Sequence, residues 1–142
     1  MNYGRVVGSA AAAAVVFFIY GFLVHGLLIA KDYVAYPTGV YRGGEDAQSH
    51  TPFGLAGIFA AILVFAAIYA KGYERDFGPV AGARLGLLFG IFMAGAFAAV
   101  NYGTLHISGK LALEVGASEL IEWTLVGSVV GVIYKPLAPA KS

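Results

Sequence analysis

The sequence has no cysteine and few charged residues. Without cysteine, the chain forms neither disulfides nor thiolate metal ligands, and a cysteine nucleophile is excluded. Charged residues make up 12% of the chain, against about 25% in a soluble domain. The net charge of +1 gives no electrostatic basis for binding nucleic acid. These deficits point to a membrane protein rather than to a soluble domain.

Recognised catalytic motifs are also missing from the sequence. It contains no G-x-S-x-G, no H-E-x-x-H and no phosphate-binding loop. An intramembrane aspartyl pair would need two aspartates inside apolar runs, and these runs contain none. We therefore expect a protein that is not an enzyme.

What the sequence has in abundance is long apolar runs. Four of them, residues 6–30, 53–70, 80–105 and 117–134, meet or approach the length of about 18 residues that spans a bilayer. The first run is longer than the apolar core of a signal peptide, so we expect no cleaved signal. The pattern predicts an all-α membrane protein, a single domain over 1–142 that forms a bundle of four transmembrane helices.

The distribution of basic residues predicts the orientation in the membrane. With four spans, both termini lie on one side, together with these basic residues: Arg5, Lys71, Arg75, Arg84, Lys135 and Lys141. The opposite side receives Lys31, Arg42 and Lys110. Because basic residues favour cytoplasmic loops, we expect both termini in the cytoplasm and a long outer loop between the first two helices.

Small residues recur at intervals of four in the last two apolar runs. The glycines concerned are Gly82, Gly86, Gly90, Gly127 and Gly131. Small residues with this spacing let membrane helices approach closely. They predict tight packing, either within the bundle or against another subunit in a homo-oligomer or a larger membrane complex.

A few polar residues are candidates for a site near the outer ends of the helices. Ser118 is a plausible N-cap of the fourth helix, which would put Glu119 in its first turn near the helix dipole. Glu122 lies one turn deeper, where an ionisable group is costly and often functional. Together with His25 and Asn101 it predicts a hydrogen-bonded cluster under the 31–52 loop. The alternative is an inert polar clasp that fixes the helix register.

The three histidines raise the possibility of a bound cofactor, whose identity the sequence leaves unknown. His25, His50 and His106 all fall on the outer side, and imidazole with carboxylates suits zinc or copper. Their spacing matches no recognised metal motif. A haem or quinone site near His25, Asn101, His106 and Glu122 is a further hypothesis. The first and third predicted helices, which carry His25 and lead to His106, run in the same direction, so a haem could lie between these two histidines.

The stretch FLVHGLLIAKDYVAYPTGVYRGGEDAQSHTPFGLAG resembles small bacterial four-helix membrane protein families that are mainly uncharacterised. The similar positions are His25-Gly26, Leu27-Leu28, Asp32-Tyr33 and the segment 45–48. The resemblance implies the four-helix fold and a location in the bacterial inner membrane. It implies no activity.

These observations favour a non-catalytic accessory or scaffolding subunit of a larger bacterial membrane complex. The alternative is a membrane binding protein with a metal, haem or quinone site at the outer face. A small transporter that acts as an oligomer is the third hypothesis, although the middle of the predicted bundle offers few polar residues to line a pore.

Overall fold

A computed structural model describes residues 1–36, 40–72 and 77–134, and this part of the chain contains helices and no strand. The α-helices are α1 (Tyr3–Gly21), α2 (Ala30–Val34), α3 (Gly44–Ala70), α4 (Pro79–Met93), α5 (Val100–Thr104) and α6 (Gly109–Ile133). Two π-helical segments extend them. Phe22–Leu28 continues α1, and Ala94–Ala99 joins α4 to α5.

Four of the resulting helices are long and apolar enough to cross a membrane. These spanning helices are Tyr3–Leu28, Gly44–Ala70, Pro79–Thr104 and Gly109–Ile133. The predicted all-helical architecture, with four helices long and apolar enough to span a membrane, is confirmed for the described residues. We call the end of the bundle that carries the 29–43 connection the outer end. The cytoplasmic position of the termini stays a prediction, and Arg75, Lys135 and Lys141, which support it, lie outside the described residues.

The fourth spanning helix begins eight residues before the predicted start at residue 117. Its N-cap is Ser108, whose Oγ accepts a hydrogen bond from the Leu111 N–H at 3.1 Å. The apolar run is interrupted by Lys110 and Glu114, which form an i,i+4 ion pair at 3.2 Å and stabilise this first stretch of helix. The interpretation of Ser118 as an N-cap was therefore wrong, because Ser118 lies in the third turn of the helix.

The second spanning helix also begins earlier, at Gly44 rather than at residue 53. Glu45 and Asp46 occupy its first turn, where the helix dipole favours negative charge. Arg42 Nη1 donates to both Asp46 carboxylate oxygens at 2.9 Å. The predicted long loop is consequently reduced to residues 29–43, and this connection includes α2.

The inner half of the bundle has a core of aromatic rings centred on Trp123. Its indole ring lies 6.0 Å from the ring of Phe17, 5.7 Å from Phe65 and 5.6 Å from Phe89, measured between centroids. One ring comes from each of the four spanning helices. All four helices therefore meet at this level.

The third and fourth spanning helices approach each other through glycine. A Cβ atom added to Gly82 would overlap the carbonyl group of Gly127, and one added to Gly86 would overlap that of Trp123. Gly90 and Gly131 meet backbone atoms of the other helix in the same way. The five predicted glycines thus pack within the chain, and their close contacts leave them unavailable to a partner.

The outer half has a second, smaller core. It consists of Ile29, Ala98, Leu111 and Val115, against which the 29–43 connection packs Tyr33, Tyr36 and Tyr41. The Ser108 N–H donates to the Tyr36 hydroxyl at 2.6 Å and ties the connection to the start of α6. The connection therefore packs against the outer parts of the third and fourth spanning helices.

The second spanning helix takes little part in this outer core. Residues 44–60 lie almost entirely on the surface of the chain, and Phe53 is 78% exposed. Burial of this helix begins near Ile62 and Phe65, at the level of the aromatic core. The two halves of the bundle therefore differ in which helices form their core and in which side chains fill it.

Candidate functional site

A layer of polar side chains lies between the inner and the outer core. Ser118, Glu119 and Glu122 of α6 are 3%, 8% and 2% exposed, and half-buried His25 faces them from the first spanning helix. Polar groups at membrane depth are costly, since lipid offers them no hydrogen-bond partner. We refer to these four residues as the polar layer.

His25 is positioned by an irregular piece of helix. It lies within the π-helical segment Phe22–Leu28, and π-helical turns occur often at functional sites. Its Nδ1 lies 2.9 Å from the hydroxyl of Tyr33, and its Nε2 lies 3.1 Å from the hydroxyl of Ser118. Both ring nitrogens are therefore engaged, one by the outer connection and one by α6.

Tyr33 is a neutral partner of this imidazole. Burial raises its pKa to about 12, and the nearby Tyr41, Glu119 and Glu114 act in the same direction because an added negative charge would be repelled. The phenol consequently keeps its proton at physiological pH. A neutral imidazole has one donor and one acceptor nitrogen, so His25 links the Tyr33 and Ser118 hydroxyls as a donor on one side and an acceptor on the other.

The two glutamates of the layer have different partners. Glu119 Oε2 accepts a hydrogen bond from Trp123 Nε1 at 3.1 Å, which connects the polar layer to the aromatic core. Glu122 Oε1 is buried and has no hydrogen-bond partner among the described residues. A Cβ atom added to Gly21 would lie only 3.3 Å from this oxygen, so the glycine leaves just enough space for the carboxyl group.

Glu122 also ends a row of polar residues along α6. Lys110, Glu114, Ser118 and Glu122 follow one another at intervals of four and are therefore neighbours on the helix surface. Lys110 Nζ binds Asp32 Oδ1 at 2.7 Å and Glu114 Oε1 at 3.2 Å at the outer end. The row runs from the outer surface to Glu122, which lies near the middle of the helix.

A groove runs along the outer part of this row. It has a volume of about 450 Å³ and lies between the outer ends of the first and fourth spanning helices. Its lining includes Tyr20, Asp32, Lys110, Glu114, Ser118 and Ile121. One oxygen each of Asp32 and Glu114 is buried without a hydrogen-bond partner in the described part of the chain. The groove thus connects the outer surface with Ser118.

The structure brings together some of the predicted site residues and separates others. His25 and Glu122 both belong to the polar layer. Asn101 contributes its backbone carbonyl to the Leu105 N–H at the end of α5, and its side chain is not a partner of His25 or Glu122 in the described structure. His106 is exposed beyond α5. No hydrogen bond among the described residues joins Asn101 or His106 to His25 or Glu122, and the four-residue cofactor site stays a prediction.

The three histidines likewise do not converge. His50 is exposed on α3, where its Nδ1 lies 2.8 Å from the Asp46 carbonyl oxygen and 3.3 Å from the Asp46 carboxylate. Across residues 1–36, 40–72 and 77–134, no three histidine, aspartate or glutamate side chains are close enough to hold a metal ion. The geometry gives the proposed set of His25, His50 and His106 no common centre.

Sequence reasoning missed several residues of the site. Tyr33, Asp32 and Glu114 were not proposed as site residues, Lys110 was used only to predict the orientation, and Ser118 was interpreted as a cap. The available signal was the spacing of four from Lys110 to Glu122. It becomes readable only when α6 is known to begin at Gly109.

No protein-family profile matches this sequence, and comparison with curated proteins and with solved structures likewise finds no match.

Proposed function

We propose that this protein is a non-enzymatic binding protein of the bacterial inner membrane. Its site would be the polar layer, and its ligand would be a small cation or hydrogen-bond donor that reaches the Glu122 carboxyl from the outer side. The observation that carries this proposal is the buried Glu122 Oε1, which has no hydrogen-bond partner among the described residues.

The physical argument rests on the cost of leaving this oxygen unpartnered. A buried acceptor without a donor costs about 1–3 kcal/mol, and more if it is charged. A carboxylate near the middle of a spanning helix is one of the most expensive groups to bury. An occupant that supplies a positive charge or a donor hydrogen removes this cost, so Glu122 favours a state in which it is bound.

The surroundings support reversible binding. Ser118 offers a hydroxyl group within the row that leads to Glu122, and His25, which is bonded to Ser118, offers an imidazole. Both groups can donate or accept a hydrogen bond. The groove above them opens toward the outer surface. A ligand would thus have polar contacts on its way to the carboxyl group.

The test is the thermal stability of the purified protein in detergent. The probes are the chlorides of sodium, potassium and ammonium, together with a series of pH values. A ligand bound only by the folded state stabilises it by mass action, by about 2.7 kcal/mol at 100 times Kd. We expect Tm to rise with at least one probe and Glu122→Gln to lose that response.

The matched control is Glu45→Gln, because Glu45 is a surface carboxylate in the first turn of α3. This variant should keep the response of the wild-type protein. An equal response in Glu122→Gln and the wild type, or no response to any probe, would contradict the proposed function.

A second candidate function, an accessory subunit of a larger complex, is favoured by the second spanning helix. Its outer half packs little against the rest of the chain, and Leu55 is 45% exposed. A photo-cross-linking amino acid at Leu55 should capture another protein in native membranes. The control position is Ile91, which is 55% exposed on α4. Lipid adducts alone at both positions would contradict this assignment.

A further inference from the structure

We propose that the occupant of Glu122 is the proton, and that it exchanges with the outer aqueous phase through the row formed by Lys110, Glu114 and Ser118. The inference rests on the proposed function and deepens it by naming the ligand and the side from which it comes. The site on Glu122 would then take up and release protons on the outer side of the membrane only.

Space is the first argument for a proton. Glu122 is 2% exposed, and a single methyl group at Gly21 would already approach its Oε1 to 3.3 Å. A metal cation needs several oxygen or nitrogen ligands around it, and no suitable group of acidic or histidine side chains exists among the described residues. A proton needs only one lone pair of the carboxylate oxygen. The proton leaves a hydronium ion of the outer aqueous phase, whose O–H bond breaks, and forms an O–H bond on the carboxylate oxygen, so that the site gains one positive charge.

The neighbouring ionisable groups fit a proton site. On α6, Glu119 lies one turn further out than Glu122. The first spanning helix contributes His25, which is bonded to Ser118 of the same row and to Tyr33 of the outer connection. The other two helices contribute Phe65 and Phe89 at the level of Trp123. Residues 53–70 contain no charged side chain, and neither do residues 85–104. A permanent cation that could neutralise Glu122 is therefore absent from the adjoining parts of these helices.

On the face of α6 that carries Glu122, polar side chains lie toward the outer end only. Outward from Glu122 follow Ser118, bonded to His25, and then the Lys110–Glu114 pair at the surface. Inward on α6 follow Val126 and Val130, both fully buried in the aromatic and aliphatic core. Hydroxyl and imidazole groups can pass a proton along, whereas valine cannot. The outer solution therefore sets the occupancy of Glu122.

The experiment uses an apolar carbodiimide, which reacts with a protonated carboxyl group in an apolar environment. The carboxyl oxygen adds to the carbodiimide carbon and the proton moves to its nitrogen, so only the protonated acid is labelled. The full chain is reconstituted into vesicles with the inner and outer pH set independently. Mass spectrometry of the intact protein then measures the adduct, and peptide spectra assign it to Glu122.

The absence of cysteine allows each molecule to report its own orientation. Glu45→Cys introduces a single thiol at the start of α3, at the outer end of the bundle. A membrane-impermeant maleimide added outside marks the molecules whose outer end faces the external solution. We expect labelling of Glu122 in maleimide-marked molecules to follow the external pH, and labelling in unmarked molecules to follow the internal pH. Glu122→Gln should abolish the adduct.

The remaining outcomes separate this inference from the proposed function. Stabilisation by sodium, potassium or ammonium but not by acid would support the proposed function and contradict the inference that the ligand is a proton. Labelling that follows the pH at the inner end would overturn the outer route. For Ser118→Ala we expect the labelling rate to change by about two- to tenfold, the weight of one hydrogen bond. Ser118→Thr, which retains a hydroxyl, should restore the wild-type rate, and equal rates in all three proteins would contradict the role of Ser118.

Discussion

The inner and outer halves of this bundle are held together by different means. In the inner half, glycines bring the backbones of two helices into contact, and four aromatic rings fill the centre. In the outer half, hydrogen bonds and an ion pair connect side chains from the first helix, the connection and α6. A single helical bundle thus combines a base held by close backbone and aromatic packing with an outer region held by polar side-chain contacts.

The helix geometry follows the same division. α1 and α4 are regular in the inner half, and both pass into π-helical segments in the outer half, Phe22–Leu28 and Ala94–Ala99. A π turn leaves part of the regular backbone hydrogen bonding unmade and changes the direction of the side chains. In the first helix this segment carries His25, and its ring meets groups from two other elements.

The largest effect on the stability of the bundle should come from a substitution in the aromatic core. Trp123→Ala removes the ring at which all four helices meet and leaves Glu119 Oε2 without its donor. Replacing a large buried aromatic residue by alanine costs about 3–5 kcal/mol. We expect loss of the folded bundle or a large fall in its free energy of unfolding, measured by chemical denaturation in detergent.

Trp123→Phe separates the two contributions. It keeps most of the ring and removes the indole N–H, so its cost should be near that of one hydrogen bond, about 0.5–1.5 kcal/mol. Equal losses in the alanine and phenylalanine variants would show that the hydrogen bond to Glu119, rather than aromatic packing, holds the inner half.

The next effect concerns the contact between the third and fourth spanning helices. A Cβ atom at Gly86 would overlap the Trp123 carbonyl, and backbone atoms cannot move aside as a side-chain end can. Gly86→Ala should therefore destabilise the protein by about 1–3 kcal/mol, the usual cost of overpacking. Gly95→Ala is the control, because no atom lies within 4 Å of a Cβ built at that position.

Gly95→Ala should be neutral or slightly stabilising, since alanine is the better helix former. Thermal unfolding of both variants in the same detergent would decide the matter. If the two substitutions have the same effect, close glycine packing is not what joins these helices, and the contrast between the two halves is lost.

The inner half was the more predictable of the two from sequence. Long apolar runs indicate spanning helices because each must satisfy its backbone hydrogen bonds within lipid. The spacing of the glycines indicated a close contact, although a pattern along one helix cannot identify the opposing one. The structure supplies that information by placing Gly82 against Gly127 and Gly86 against Trp123.

The outer half could be predicted only in part, because its contacts join residues far apart in the chain. His25 and Glu122 were recognised as unusual ionisable groups in apolar helices. The hydrogen bond between His25 and Ser118 was not, because Ser118 followed a small-residue stretch that suggested a helix start. The real start at Gly109 lies among charged residues that lower the local hydropathy. Hydropathy alone therefore misplaced the helix end that carries the route to the site.

The smallest effect should appear in the outer half at alkaline pH, through Tyr33. Its folded-state pKa is raised to about 12 from an ordinary value of 10.0, because burial and nearby negative charges oppose ionisation. The unfolded chain therefore loses this proton first as the pH rises. The stability that Tyr33 contributes is complete below pH 10.0 and is lost as the pH rises toward 12.

Tyr33→Phe should flatten this alkaline loss while costing part of the stability near neutral pH, because the partner of His25 Nδ1 disappears. Tm recorded at intervals from neutral pH to pH 12 would show both effects, with Tyr102→Phe as the control for an exposed tyrosine that is 56% exposed. An alkaline loss of equal size in all three proteins would mean that Tyr33 ionises like an exposed tyrosine. The outer connection would then not shield Tyr33 and its partner His25 from water.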